Sequence, residues 1–234
     1  IHGVPLNGRR VVPYHDHNGA QARPGLLKAV SEGQSVAYVS DAGTPLFADP
    51  GDRLAQAAIA EGLPVTAAPG ASAVLAALSV AGLPTDRFLF AGFPPPKSAA
   101  RRTEFGELAQ VPATLVFYDS PRRLASCLAD MAAVLGGSRQ VAVCRELTKR
   151  FEEVRRGTLA EMAKTYANEP PPKGEVVIVV GPPEKTQATA ADLDSALAAA
   201  MQDNSLKDAA AIVAEATGLP RKQVYARALE LRGK

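Results

Sequence analysis

The chain has 234 residues, 47% of them apolar and 21% charged. That is enough to build a sizeable core and excludes a disordered chain. Lys and Arg number 26 against 24 Asp and Glu, a net charge of +2, so any surface for a polyanion has to be local; no run of about 18 apolar residues exists, which excludes a membrane-spanning helix.

In chain order, His15 and His17 flank Asp16, but two histidines at i, i+2 without a matching Cys/His pair read as a surface turn, and no metal is expected. Val36–Ser40 reads as a buried strand leading into a turn-rich loop, and residues 52–61 as a helix. Pro64–Ala67 reads as a short strand, and Ser72–Ser79 as a helix ended by Gly82 and Pro84. Phe88–Ala91 and Thr114–Tyr118 read as strands, and Lys97–Arg102, after three prolines, as a mobile basic loop. Arg122–Leu135 is an amphipathic helix stopped by Gly136 and Gly137. Strands follow at Gln140–Arg145 and Phe151–Arg156, then a helix over Leu159–Asn168 and a strand over Glu175–Val180. Strands alternating with helices define an α/β protein.

Residues 82–87 and 181–187 carry the turn chemistry of linkers. They divide the chain into 1–84 and 85–184, both α/β, and an Ala-rich helical tail over 190–234. Cys127 and Cys144 lie in apolar stretches and read as small buried hydrophobes. With reduced thiols and no signal peptide, a cytoplasmic location is expected.

Three loops directly follow strands: residues 40–51, 69–72 and 118–121. Ligands of open α/β sheets bind outside the carboxyl ends of the strands, and small residues let backbone approach a ligand. Each loop alone is equally an ordinary strand-to-helix turn, with helix caps at Asp52 and Ser72. Three on successive strands point to a site. Neither G-x-G-x-x-G nor G-x-x-x-x-G-K-[ST] occurs, so a dinucleotide or triphosphate reading lacks its main support.

VSDAGTPLFADPG, PGASAVLAALSVAGLPTDRFLFAGFPP, TLVFYDSPRRL, CRELTKRFEEVRRGTL and KGEVVIVVG occur in this order. This combination closely resembles the bacterial 16S rRNA cytidine 2′-O-ribose methyltransferase family, in the tetrapyrrole-methylase superfamily. The resemblance covers essentially the whole chain. It implies two α/β domains with a cleft between them, S-adenosylmethionine bound there, and a homodimer acting on 16S rRNA or the small ribosomal subunit. Carried over by residue, it implies a cofactor site of Asp41, Gly43, Thr44, Pro45, Phe47, Ser72, Ala73, Phe117, Tyr118, Leu147, Gly174 and Glu175. The family begins with a strand, a glycine-rich T-P-I-G-N-L-G-D loop and an acidic E-D-T-R segment. Neither loop nor segment is present here, so the expectation is a cofactor site short of one wall.

Methyl transfer to a ribose hydroxyl needs alignment and help for a poor nucleophile. The densest polar segment, Arg145–Glu153, offers Glu146 and Lys149 for the hydroxyl proton; alternating solvated charge on an edge strand is the alternative. Residues 97–156 hold 11 Lys/Arg against 7 Asp/Glu, net +4. Lys97, Arg101, Arg102, Arg122 and Arg123 are expected to contact RNA phosphates.

In the tail, helices over Leu206–Ala216 and Pro220–Leu231 flank a turn. Ala214, Gly218 and Val224 have helix-turn-helix spacing: a small residue at the helix contact, glycine in the turn and an apolar anchor. Residues 218–234 hold 5 Lys/Arg and 1 acid, and Arg221 and Lys222 are expected at RNA. Two competing functions remain: a superfamily methyltransferase acting on a tetrapyrrole or other small molecule, and a non-catalytic nucleic-acid-binding protein.

Overall fold

The computed structural model describes residues 8–40, 42–184 and 190–232. They fall into two compact units, Ile1–Pro182 and Pro183–Lys234.

The first unit is organised by one mixed sheet. Its strands are β1 (Phe88–Gly92), β2 (Thr114–Asp119), β3 (Gln140–Arg145), β4 (Glu153–Thr158) and β5 (Val176–Val180), in the order β1-β2-β5-β3-β4. β1 and β2 pair in parallel, whereas β5 lies antiparallel between β2 and β3, and β4 runs antiparallel to β3 at the far edge. Asp119 and Arg145 both pair with Val176. The carboxyl ends of β2 and β3 therefore lie at one end of the sheet, together with the start of β5.

The side-chain period of two sorts the strands into two buried faces. Leu115, Phe117, Val141, Val143, Val176, Ile178 and Val180 meet α4 (Ser98–Leu108), α5 (Leu124–Leu135) and α6 (Leu159–Asn168). Val116, Ala142, Cys144, Val177 and Val179 meet α3 (Ala73–Ala81). α3 presents Val74, Ala77, Leu78 and Ala81 at helical spacing. Gly82, at φ +73°, ends it in the left-handed region, and Arg156 of β4 donates to the carbonyls of Val80 and Ala81. A cation at the negative end of the helix dipole fixes that end against the sheet. Both cysteines are buried, and burial pushes the Cys144 thiol up to about 11.

Several elements differ from the sequence reading. Val36–Ser40 and Pro64–Ala67 form no strand; both run as chain without ladder bonds among the described residues, and Val39 is 81% exposed. Their apolar pattern suits a strand, but a strand exists only where a neighbour takes up its backbone groups. Two helices were not anticipated: α1 (Gly19–Ser31), which contains Pro24, and α4. Residues 98–102 are thus the first turns of α4 rather than a mobile loop. β4 starts two residues later than expected, because Glu146 (φ +49°) and Thr148 (φ +64°) widen the turn after β3. Residues 15–17 form a turn held by Asn18, whose side chain accepts from the His15 N–H and donates to the Pro13 carbonyl. α2 (Asp52–Ala60) follows the reading closely.

The second unit packs α7 (Ala190–Asp203), α8 (Leu206–Thr217) and α9 (Arg221–Arg232) around Leu193, Leu197, Ala210, Val213, Val224 and Ala228. Gly218, at φ +69°, closes α8 and donates to the Ala214 carbonyl. Val224 is fully buried. Arg227 ties α9 to α7 through two bonds to Asp194, at 2.7 and 2.6 Å. The expected helix-turn-helix geometry is present, preceded by a third helix that completes the core.

Arg101 shows how charge serves the first unit's core. It is only 3% exposed and forms a two-pronged pair with Asp130, with Nε at 2.8 Å and Nη2 at 2.5 Å. Removing one partner of a buried pair strands the other charge, at about 3–5 kcal/mol. Arg101→Met is therefore expected to lower the unfolding free energy of this unit by about that amount in urea titrations, and Arg101→Met/Asp130→Leu to recover most of it. A single mutant as stable as wild type would contradict this placement.

Candidate active site at the carboxyl ends of the strands

The end of the sheet that carries Gly92, Asp119 and Arg145 also gathers the loops singled out from sequence. α3 starts there. Ser72 is its N-cap, accepting from the Leu75 N–H at 3.5 Å. Val74 packs beside Tyr118 and Leu147. The loop over residues 42–51 is stitched to this helix start through one acceptor, the Ala71 carbonyl, which receives the Thr44 N–H at 2.7 Å and the Thr44 Oγ1 at 2.9 Å. The glycines at the stitch are there for closeness. A Cβ on Gly43 (φ +71°) would stand 3.2 Å from that carbonyl, and one on Gly70 would stand 3.1 Å from Thr44 Oγ1. Further along, Asp49 accepts from the Tyr38 hydroxyl at 2.6 Å and from the Gly51 N–H at 2.9 Å. Burial, then this carboxylate, pushes the Tyr38 phenol up.

A second group closes the other side. Lys149 Nζ donates to Glu146 Oε1 at 2.9 Å and to Glu175 Oε2 at 2.8 Å, while the Glu175 N–H donates to Glu146 Oε1 at 2.9 Å. This latch joins the β3–β4 turn to the start of β5. The Lys149 hydrogen bond, then the Glu175 N–H, holds the Glu146 carboxyl below its usual range. The two carboxylates hold Lys149 above its usual range. Gly174, at φ +100°, is required by the latch, since a Cβ there would stand 2.3 Å from Glu146 Cδ.

The structure therefore brings Thr44, Ser72, Ala73, Tyr118, Glu146, Leu147, Lys149, Gly174 and Glu175 to one end of the α3 face. Pro45 and Phe47 lie in the stitched loop, with Phe47 exposed between Leu46 (φ +77°) and Ala48 (φ +54°). Asp41 lies outside the described residues. Phe117 is placed otherwise: its side chain is fully buried on the opposite face, against the Phe105 ring, so only its backbone reaches this end. Among the described residues, no cluster of three or more His, Cys, Asp or Glu could hold a metal.

The expected RNA contacts divide. Lys97, Arg102, Arg122, Arg221 and Lys222 are exposed. Arg101 has to be withdrawn, because its guanidinium is buried and committed to Asp130. Arg123 is half-buried, paired with Asp119 at 2.5 Å and donating to the Pro94 carbonyl. The sequence reading also missed the ring cluster of Phe90, Phe93 and Tyr118, with centroids 4.8 and 5.5 Å apart. Phe90 and Phe93 are three residues apart, so strand alternation alone would put them on opposite faces.

The family described as Tetrapyrrole (Corrin/Porphyrin) Methylases matches residues 8–163. The chain belongs to this family. A second match, the RsmI C-terminal HTH domain, spans residues 187–232, and within the family the chain groups with proteins named Ribosomal RNA small subunit methyltransferase I. It is 50% identical over 224 residues to the one from Mesorhizobium japonicum, covering 96% of this chain and 76% of that protein. It is 41% identical over 224 residues to the one from Pseudomonas aeruginosa, covering 94% and 79%. Two solved structures share the fold. The methyltransferase CobJ is 20% identical with a TM-score of 0.57, covering 76% of this chain and 77% of that one. Diphthine synthase is 17% identical with a TM-score of 0.52, covering 74% and 70%.

The latch gives a test of this geometry. Gly174→Ala carries both φ strain and a clash, whereas Gly136→Ala, at φ +104° with open space around it, carries strain alone. Gly174→Ala is expected to cost about 1 kcal/mol more than Gly136→Ala in thermal or urea unfolding. In a Glu146→Ala background the excess should vanish. Equal costs in the wild-type background would contradict the placement of Glu146. The latch also has a pH sign. With the folded carboxyl depressed, its contribution is present above the ordinary carboxylate range and is lost as pH falls through the lower folded value.

Proposed function

We propose that the chain transfers a methyl group from S-adenosylmethionine to the ribose 2′-hydroxyl of a cytidine in the decoding region of 16S rRNA. The observation that carries this reading is the pairing, on one chain, of the methylase match at 8–163 with the RsmI C-terminal match at 187–232, at 50% identity to a named rRNA methyltransferase over 96% of the chain. A tetrapyrrole substrate and a non-catalytic role are not favoured. The same reading includes the homodimer and the small ribosomal subunit as partner, with light scattering and subunit pull-down as their respective tests.

The residues present fit the cofactor. Small residues expose backbone at Ala71 and Ala73, and Val74, Tyr118 and Leu147 form an apolar wall beside them. Thr44, Ser72, Ala73, Tyr118, Leu147 and Gly174 would hold it, and when bound it supplies an electrophilic methyl on a sulfonium. The remaining task of the chain is to hold the ribose oxygen in line and to favour its anionic form. Lys149 is suited to the second part. It is about half exposed and its raised pKa keeps it cationic through neutral pH, so it can stabilise a developing alkoxide but cannot take the proton. Glu146 is a weakened base, because its carboxylate is already engaged by Lys149 and the Glu175 N–H. Its part is to orient Lys149.

The test is single-turnover transfer of labelled methyl to small subunits whose 16S rRNA lacks the modification. Lys149→Met is expected to lower the rate by about 10²-fold with cofactor affinity unchanged, and Glu146→Gln to lower it less. No labelled rRNA with wild-type protein would overturn the activity. Rates near wild type in both variants would overturn the assignment of Lys149 and Glu146.

A further inference from the structure

Phe93 is a large aromatic side chain 56% exposed to solvent, yet everything around it is fixed. β1 and β2 pair in register up to Phe90 and Val116, and the next pair is Gly92 with Phe117, so Ala91 is an extra residue. Such a bulge turns the strand and re-aims the side chain that follows. Gly92, at φ +71°, supplies the backbone conformation. The Phe93 ring then stands edge to face on Tyr118, which stands likewise on Phe90. This places Phe93 on the α3 side of the sheet, at the end where the cofactor loops gather.

The segment after it is pinned by two arginines. Arg123 Nη1 donates to the Pro94 carbonyl at 3.3 Å, and Arg101 Nη1 to those of Pro95 and Pro96, each at 3.3 Å. Asp119 and Asp130 hold these guanidinium groups in turn. Three successive carbonyls that no secondary structure uses are thus satisfied by two ion-paired side chains. Three prolines add backbone stiffness of their own. A rigid exposed ring gives up little conformational freedom when it is covered. At either end of the pinned segment's supports, Lys97 and Arg122 are exposed cations.

We propose that Phe93 is a stacking platform for an unstacked nucleobase of the RNA substrate, presented by the Arg101–Asp130 and Arg123–Asp119 clamps, with Lys97 and Arg122 beside it for phosphate. The inference rests on the RNA methyltransferase reading and deepens it. Holding a ribose oxygen in line is easier when its base is fixed on a rigid surface. Single-stranded RNA is held by stacking on aromatic rings flanked by cations. The two arginines expected at phosphates thereby act one step back, on the shape of the platform.

The chain contains no tryptophan, so Phe93→Trp places a single reporter at the platform. Titration of this variant with naked 16S rRNA should quench its emission, and the cofactor alone should not. Phe93→Ala should lower methyl transfer at limiting RNA by about 10-fold, with calorimetric cofactor affinity unchanged, and Phe93→Trp should restore it. Quenching by the cofactor alone would put the adenine on the ring and overturn the proposal. An emission maximum that shifts with protein concentration in the absence of RNA would assign the face to a second copy and overturn it too. So would a Phe93→Ala rate equal to wild type, or a loss that Phe93→Trp does not restore. Should the wild-type protein methylate no RNA, the activity reading fails by itself. The titration still decides the platform: quenching by RNA supports it, and its absence overturns it.

Discussion

The burial of one short helix against one sheet face is the constraint on which the site depends. α3 places Val74, Ala77, Leu78 and Ala81 on Val116, Ala142, Cys144, Val177 and Val179. At about 25 cal/mol per Å² of apolar area, such a face outweighs the single hydrogen bonds at its ends. Those bonds set direction instead. Arg156 takes the carbonyls at the C-terminus and Ser72 caps the N-terminus. The N-terminus is thereby fixed beside Tyr118, and whatever is bonded to it comes along. Thr44 is bonded to it, through Ala71. The position of the 42–51 loop thus follows from the packing of α3.

Charge in this chain works at two depths. Arg101, Arg123 and Arg156 spend their donors on carbonyls and carboxylates within the fold. Lys97, Arg102 and Arg122 leave theirs to solvent. The neighbours Arg101 and Arg102 differ only by the 100° turn of a helix, which carries one toward Asp130 and the other outward. The net +4 over residues 97–156 therefore overstates the charge available to an RNA.

Much of this was legible in the residues. The strands from Phe88 onward, the helix after Ser72, the Gly218 turn and the motif order all carry local signals that the packing reinforces. The chain order of the motifs carried the family. Four features were not legible. Val36–Ser40 and Pro64–Ala67 have strand composition, but pairing is a non-local property that composition cannot supply. Arg101 looked like surface charge because its partner, Asp130, is 29 residues away. Phe117 and Tyr118 read as a pair at the strand end, although successive strand residues face opposite ways and only Tyr118 faces α3. Phe93 was hidden by a bulge that appears only once β1 is set beside β2.

The most direct test of this account is amide hydrogen exchange on Ala77→Leu. Ala77 is fully buried between α3 and the sheet, so a larger side chain overpacks that contact, at about 1–3 kcal/mol. Faster exchange is expected over residues 73–81 and, with it, over residues 43–51 and 69–72, while β2 and β5 remain protected. Faster exchange confined to α3, with 43–51 and 69–72 unchanged, would contradict the claim that α3 packing positions these loops.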